Sequence, residues 1–362
     1  MTRILFDNIV FSLQKAGGVS CVWKELIERV QQKTGFESYF LDYKSGLNNI
    51  SRNELLIENQ FIINSDKIPV FLERYMNPTI DTFKSDYIFH SSYYRTCSSK
   101  HAKNITTVHD FVYEKYRTGM PRLVHQLQKK KAVFNSDAVI CVSNNTKIDL
   151  LTLYPQLEEK KVFVVHNGVS SLFRKIQREK VPESIQKLGN YVLYIGNRTD
   201  AHKNFNSLIY ALEKREDINL VLIGGGILND SESTHLNNRI KNRYFHLGHC
   251  SNEELNTLYN FAFALVYPSV YEGFGIPVLE AQRAGCPVIA TNRSSISEIA
   301  GPEALLMEAG DPEEIRASID LLQNATFRKN LMEAGLKNSN SFSWDKMASE
   351  VLNIYDLVLP LT

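Results

Sequence analysis

Short apolar runs alternate with stretches of helical periodicity along the whole chain, and the series occurs twice. Ile4 to Val10, Ser38 to Leu41, Tyr87 to His90, Ile105 to His109, Ala138 to Val142 and Val162 to Val165 read as strands, with helical patterns in most of the gaps. A second series runs through Tyr191 to Ile195, Leu220 to Ile223, Tyr244 to Leu247, Phe263 to Tyr267, Pro287 to Thr291 and Ala304 to Met307. Helical patterns between these include Asn206 to Lys214, Asn252 to Phe261 and Pro312 to Asn324. Parallel strands need a crossover and a helix supplies it, so the alternation predicts α/β domains with largely parallel sheets. At 362 residues the chain exceeds one ordinary core. Arg178 to Gly189 is charged, contains Pro182 and lacks periodicity. It reads as the linker between a first domain, residues 1–177, and a second, residues 190–342. The cleft between two such domains is the default place for a substrate.

Composition narrows the classes of function. An apolar share of 43% and a charged share of 22% read as a soluble globular protein. A net charge of +1 argues against a general nucleic-acid binder. The five cysteines are scattered and never spaced Cys-x-x-Cys, which points to a reducing compartment and no structural metal. Residues 1–19 lack the apolar core of a signal peptide, and no run approaches the length of a membrane span. A cytoplasmic location is expected.

Within the second series, Tyr267 to Ala281 has the form of a ligand site. Two carboxylates, Glu272 and Glu280, flank the turn Gly273-Phe274-Gly275. Glycines open backbone angles closed to other residues and let main-chain amides approach a bound group. Pro277 suits the first turn of a helix ending near Gly285, which places Glu280 about one turn in and Glu272 on the entry loop. Carboxylates repel anions, so each Glu suits neutral hydroxyls, as on a sugar or a ribose. A helix entry with one capping and one solvated Glu is the plain alternative for the pair alone.

Other strand ends carry polar loops. Arg198 and Lys203, after Gly196-Asn197, offer a diphosphate a bidentate fork and a point charge. Gly224-Gly225-Gly226 permits close backbone approach. In the first series, Gly17 and Gly18 follow the first strand, either as a ligand loop or as a tight turn. His109-Asp110 closes another strand, where imidazole offers donor and acceptor near neutral pH or serves as a core side chain. Lys115, Arg117, Arg122, Lys129, Lys130 and Lys131 interleave with Leu123, Val124 and Leu127 at helical spacing. That segment fits a solvated helix face or a helix lying on an anionic membrane surface. Ser295-Ile296-Ser297-Glu298 has the form of a capping box. His246 and His249 lack a third ligand for zinc, and there is no Asp-x-Asp to hold a metal-bound nucleotide diphosphate. No metal and no cofactor are expected.

Taken together these motifs resemble a known family. YPSVYEGFGIPVLEAQRAGCPVIATNRSSISEIAG at 267–301 is joined by AGGVS at 16–20, TVHD at 107–110, ICVSNNT at 140–146 and VVHNGV at 164–169. YIGNRTDAHKN at 194–204, LVLIGGG at 220–226 and HLGHCSNEELNTLY at 246–259 complete the set. The resemblance is to the retaining GT-B glycosyltransferases of glycosyltransferase family 4, which include bacterial mannosyltransferases and enzymes of lipopolysaccharide and capsule synthesis. It implies two Rossmann-like α/β domains facing each other across a cleft, the first binding an acceptor and the second a nucleotide-sugar. A final helical segment, residues 343–362, would cross back to the first domain.

The implied reaction transfers a sugar from GDP-mannose or a UDP-sugar to a saccharide or lipid-linked acceptor, with retention at the anomeric carbon and without metal. By the same resemblance Glu280 would bind the donor ribose, while Glu272 and the amides of Gly273, Phe274 and Gly275 would contact the transferred sugar. Arg198 and Lys203 would hold the diphosphate, Gly17 and Gly18 would line the phosphate and acceptor side, and His109 would meet the sugar near the reacting centre. Asn197 stands before Arg198, where family members often have an arginine directly after the glycine, and His202 occupies a place often held by arginine. Two other readings share the architecture: a non-hydrolysing nucleotide-sugar epimerase, and a non-catalytic sugar- or nucleotide-binding protein. The presence of both glutamates, Lys203 and His109 counts against the second.

Overall fold

The computed structural model describes residues 1–65, 69–177, 181–301 and 304–360, and in them each apolar run supplies a strand. The first unit carries β1 (Thr2–Asp7), β2 (Phe36–Asp42), β3 (Ile62–Asn64), β4 (Tyr87–Ser91), β5 (Ala102–Val108), β6 (Ala138–Cys141) and β7 (Val162–Val164). Their order is β3-β2-β1-β4-β5-β6-β7, with parallel pairing throughout. The second unit carries β8 (Tyr191–Ile195), β9 (Asn219–Ile223), β10 (Tyr244–Gly248), β11 (Ala264–Tyr267), β12 (Val288–Thr291) and β13 (Leu305–Met307). These are also parallel, in the order β10-β9-β8-β11-β12-β13.

Each sheet reverses its strand order once, between β1 and β4 in the first and between β8 and β11 in the second. Crossovers on either side of such a reversal run to opposite faces of the sheet. A crevice therefore opens outside the carboxyl ends of the strands, the usual seat of a ligand in open α/β sheets. The connection after β1 carries Gly17 and Gly18, and those after β8 and β11 carry Lys203 and Glu272.

Packing explains why these edges hold still. The strands β11 and β12 are buried along their full length, as uninterrupted apolar runs covered on both faces require. The helix Phe205–Glu213 buries Phe205, Leu208, Ile209 and Leu212 in one core with Val192 and Tyr194 of β8 and Leu220 and Leu222 of β9. Each such side chain contributes about 1.5–3 kcal/mol, which anchors the polar loops that leave the same strands.

Two sequence expectations are revised, and one strand is added. The first strand ends at Asp7 rather than Val10, because the Asp7 carboxylate turns inward to Arg95 (Nε to Oδ2 2.9 Å) and Val10–Leu13 coils into a helical turn. The edge strand β3 has only three residues and pairs with β2 alone, too little for a periodic signal. The division between units falls at Gly168/Val169, not at residues 178–189. From Arg174 onward the chain is already tied to the second unit, with the Arg174 and Ile176 amides donating to Asn256 and Asn260. Of the expected linker, residues 178–180 lie outside the described residues, and Glu183–Gln186 forms a short helix.

The helix Trp344–Val358, last in the sequence, belongs to the first unit. Tyr355 Oη lies 2.6 Å from His90 Nδ1, and Arg29 Nε donates to Asp345 Oδ1 at 2.6 Å. A Cβ on Gly168 would collide with the Trp344 backbone, so glycine permits the close approach. Among the described residues no helix is long and apolar enough to cross a membrane.

Candidate active site

The chain leaves β8 through Gly196 at φ 137° and makes one tight turn at Ala201–Lys203. Asn204, at φ 52°, then starts the helix Phe205–Glu213. This path directs Lys203 at the loop after β11. Its Nζ donates to Glu272 Oε1 at 2.7 Å and lies 5.7 Å from the centroid of the Tyr267 ring. Burial alone would raise the Glu272 pKa, but the Lys203 charge and hydrogen bonds from Lys203, Ser269 and Tyr267 outweigh it and hold the carboxyl below its ordinary value. Glu272 is therefore a carboxylate at neutral pH. An ammonium has three donors, so Lys203 can bind Glu272 and still offer protons to a phosphate oxygen.

The loop carrying Glu272 is fixed from a distant part of the chain. The Glu272 amide donates to Ser294 Oγ at 2.9 Å, and Ser295 Oγ lies 2.9 Å from the Glu272 carbonyl and 3.0 Å from that of Phe274. The capping-box reading of Ser295 is thereby corrected. The helix Ser294–Ala300 has Arg293 at its cap position and no side-chain cap, and Ser295 ties down the ligand loop instead. The Phe274 ring packs edge-on against Phe342, so it serves the core. Gly275 adopts φ 106°, which needs glycine, and caps the helix Ile276–Arg283, with Pro277 in its first turn. Main-chain N–H groups at that helix start and its dipole favour a negative group.

Glu280 is the fifth residue of this helix, and its Oε2 accepts from Tyr259 Oη at 3.0 Å. Burial lifts its pKa to about 7, with Tyr259 opposing the rise. Tyr267 links the two glutamates electrostatically: burial first, then Glu272 and more weakly Glu280, push its phenol well up. Glu272, Glu280, Lys203 and the turn Gly273–Gly275 thus gather at the carboxyl edge of one sheet. Tyr259, Ser294 and Ser295 complete the arrangement; nothing in local spacing marked Tyr259 or Ser294, and Ser295 carried only the signal of a helix cap.

Arg198 lies on the same edge but turns away from that cluster, to the loop after β9. Its side chain is 1% exposed, with Nε on Glu232 at 2.9 Å and the two terminal nitrogens on the carbonyls of Gly224 (2.7 Å), Gly225 (3.1 Å) and Gly226 (3.1 Å). The glycines take φ of 77°, 72° and 72°. The guanidinium is occupied in holding this turn, so the expectation that Arg198 grips a diphosphate is replaced by a structural role.

In the first unit, Gly17 and Gly18 are exposed where the helix Gly18–Gln31 begins, and a Cβ on Gly18 would meet open space. His109 lies just past β5. Its Nε2 is buried without a hydrogen-bond partner among the described residues. Burial, reinforced by Lys129 and opposed by Asp110, lowers its pKa to about 4, so the ring is neutral at physiological pH. Lys129 is fully buried behind the adjoining loop, donating to the Asp110 carbonyl (2.7 Å) and Glu114 Oε2 (2.9 Å) with the Phe111 ring centroid 4.1 Å away. A neutral imidazole with an unmatched nitrogen suits a ligand hydroxyl.

Known proteins match this architecture. The sequence model "Glycosyltransferase Family 4" matches residues 16–171, and "Glycosyl transferases group 1" matches residues 175–338. The chain is 28% identical over 289 residues to O-antigen chain mannosyltransferase B of Escherichia coli, spanning 75% of each protein. It is 29% identical over 219 residues to O-antigen chain mannosyltransferase RfbU of Salmonella typhimurium strain LT2, spanning 59% of each. Sucrose-phosphate synthase from Thermosynechococcus elongatus superposes over 100% of both chains with a TM-score of 0.76 at 17% identity, a likeness of fold. With two adjoining family matches that lie over strands β2–β7 and β8–β13, the chain belongs to glycosyltransferase family 4 and is a GT-B glycosyltransferase.

Proposed function

We propose that the protein transfers a sugar, with retention and without a metal ion, from GDP-mannose or a UDP-sugar to a glycolipid or polysaccharide acceptor in surface-glycan synthesis. The observation that carries this reading is the Lys203–Glu272 pair, 2.7 Å apart at the strand-order reversal of the second sheet, next to a glycine turn that opens the Glu280 helix. Glu280 takes the donor ribose hydroxyls. Lys203 takes diphosphate oxygens and stabilises the charge that grows on the leaving phosphate, where a fixed cation acts most strongly. Glu272 and the neighbouring amides orient the transferred sugar, and neutral His109 accepts or donates to a sugar hydroxyl. The acceptor hydroxyl loses its proton to the departing phosphate. The mannosyltransferase names of the relatives favour GDP-mannose as first choice. A thermal-shift panel of GDP-, UDP-, dTDP- and ADP-sugars tests the donor class, because a ligand that binds only the folded state raises the unfolding midpoint. Equal midpoints with every nucleotide-sugar would contradict a donor site here.

A further inference from the structure

A carboxylate oxygen in the first unit is buried with nothing to bind. The helix Val70–Glu73 ends on Glu73, which is 7% exposed. Its Oε1 accepts from Ser65 Oγ, while its Oε2 has no hydrogen-bond partner among the described residues. Folds rarely strand a buried acceptor, because the lost hydration is not repaid. Beside it Arg95 is 1% exposed. Its Nε and Nη2 donate to Asp7 at 2.9 and 2.5 Å, Nη2 donates also to Tyr43 Oη, and Nη1 donates to the Glu73 carbonyl at 3.1 Å. A guanidinium carries five N–H groups, so one on Nη1 remains.

Glu73 and Arg95 line one cavity of about 480 Å³, within the range of about 300–1,000 Å³ for small-molecule sites. Leu41 and Ile63 give it apolar surface, Ser65 and Thr79 add hydroxyls, and Asp81 adds a second carboxylate. Among the described residues no lysine or histidine lines it. That set of groups selects a class of ligand. Two carboxylates beside one guanidinium already paired with Asp7 repel phosphates, which excludes nucleotides and phosphorylated sugars. One open acceptor next to one open donor, with apolar surface alongside, matches adjacent hydroxyls on a neutral sugar ring.

We propose that this cavity binds a neutral sugar residue of a glycan, at a place separate from the reacting centre. One hydroxyl donates to Glu73 Oε2 and its neighbour accepts from Arg95 Nη1. The site extends the glycan-acceptor reading above and rests on it. The strands β2 and β3, which carry Leu41 and Ile63, stand three and four strands away from β5, which leads to His109. At about 4.8 Å per strand the separation is roughly 14–19 Å, several sugar units along a chain. The cavity therefore holds a glycan by a residue distant from the hydroxyl that reacts, and it favours long acceptors over single sugars.

Calorimetric titration of the full chain with neutral trisaccharides of mannose, galactose or glucose, in the absence of nucleotide-sugar, tests the proposal. One of the three binds the wild type, and E73Q binds it at least about tenfold more weakly, as expected for a lost hydrogen bond to a charged group. T79W, altered at an exposed position on the rim, obstructs the cavity and weakens binding likewise without touching the buried network. The unfolding midpoint verifies that each variant is folded, and T79W decides alone if E73Q is not. No binding of any trisaccharide, or wild-type affinity in the folded variants, overturns the site. Binding of glucosamine or calcium with no neutral sugar bound overturns it too, by making the carboxylates a cation site. Because no donor is present, these outcomes are separate from the transfer reading, which nucleoside diphosphate release decides.

Discussion

Replacing Glu280 by Gln isolates a single proton in the donor site. Burial lifts the Glu280 carboxyl from its ordinary 4.5 to about 7 even though Tyr259 donates to it. Ribose hydroxyls donate to the carboxylate, so donor binding draws on the ionised form and expels the proton. Between about pH 8 and about pH 6 the ionised fraction falls from about nine-tenths to about one-tenth, and donor affinity falls about tenfold with it. Glu280→Gln has no such titration; its affinity is flat over the range and lower by roughly 1–3 kcal/mol, the cost of losing a hydrogen bond to a charged group. The assay is calorimetric titration with a nucleotide-sugar, whose two phosphates are both esterified and do not titrate here. Repeating it in buffers of different ionisation heat counts the released proton. Wild-type affinity that is flat or rises toward acid, or an equal slope in Glu280→Gln, would refute the ribose assignment. Folding stability adds a sign of its own. Between about 4.5 and about 7 the folded chain retains a proton that the unfolded chain has released, so stability falls as pH rises through that window, by about 3 kcal/mol in all. Glu280→Gln should therefore gain stability over the wild type above the window and not below it, as read by denaturant unfolding.

Other perturbations separate the remaining roles. Lys203→Ala should weaken nucleotide-sugar affinity by about 1.5–3 kcal/mol, the range for a charge-assisted hydrogen bond, and unchanged calorimetric binding would remove Lys203 from the phosphate site. Glu272→Ala should lower turnover on the order of a hundredfold while changing donor affinity much less; equal turnover in mutant and wild type would end its assigned role. Arg198→Ala should lower unfolding free energy by about 1–3 kcal/mol, because it removes the hydrogen bonds that tie the three glycine carbonyls and Glu232 together. Full stability with lost donor affinity would return Arg198 to the diphosphate. Turnover should persist in EDTA, and a strict divalent-cation requirement, restored by adding the ion back, would contradict the metal-free mechanism.

What the sequence made legible follows from the range over which each signal acts. The two sheets were readable because each strand is a local apolar run and each crossover a local helical period. The edge strand β3 was not, since three residues carry no period. The turn around Phe274 and its two glutamates formed a local motif, but the cation paired with Glu272 lies 69 residues away and only the fold joins them. Arg198 failed for a related reason. Its neighbours in sequence suggested an open diphosphate ligand, while its bonds go to carbonyls 26 to 28 residues on, presented together by three left-handed glycines. Backbone carbonyls that converge in space leave no mark on residue identity. The basic segment 115–131 was ambiguous between a solvated face and a membrane face, because sequence did not reveal which lysine turns inward.

The central claim, sugar transfer to an acceptor through the Lys203–Glu272 site, is tested most directly by nucleoside diphosphate release from a panel of nucleotide-sugars, with and without a glycolipid and polysaccharide extract. The account predicts rapid release with one donor only when acceptor is present, in EDTA as well as in buffer, and its loss in Glu272→Ala. Sugar interconversion without acceptor, or release that Glu272→Ala leaves intact, would contradict it.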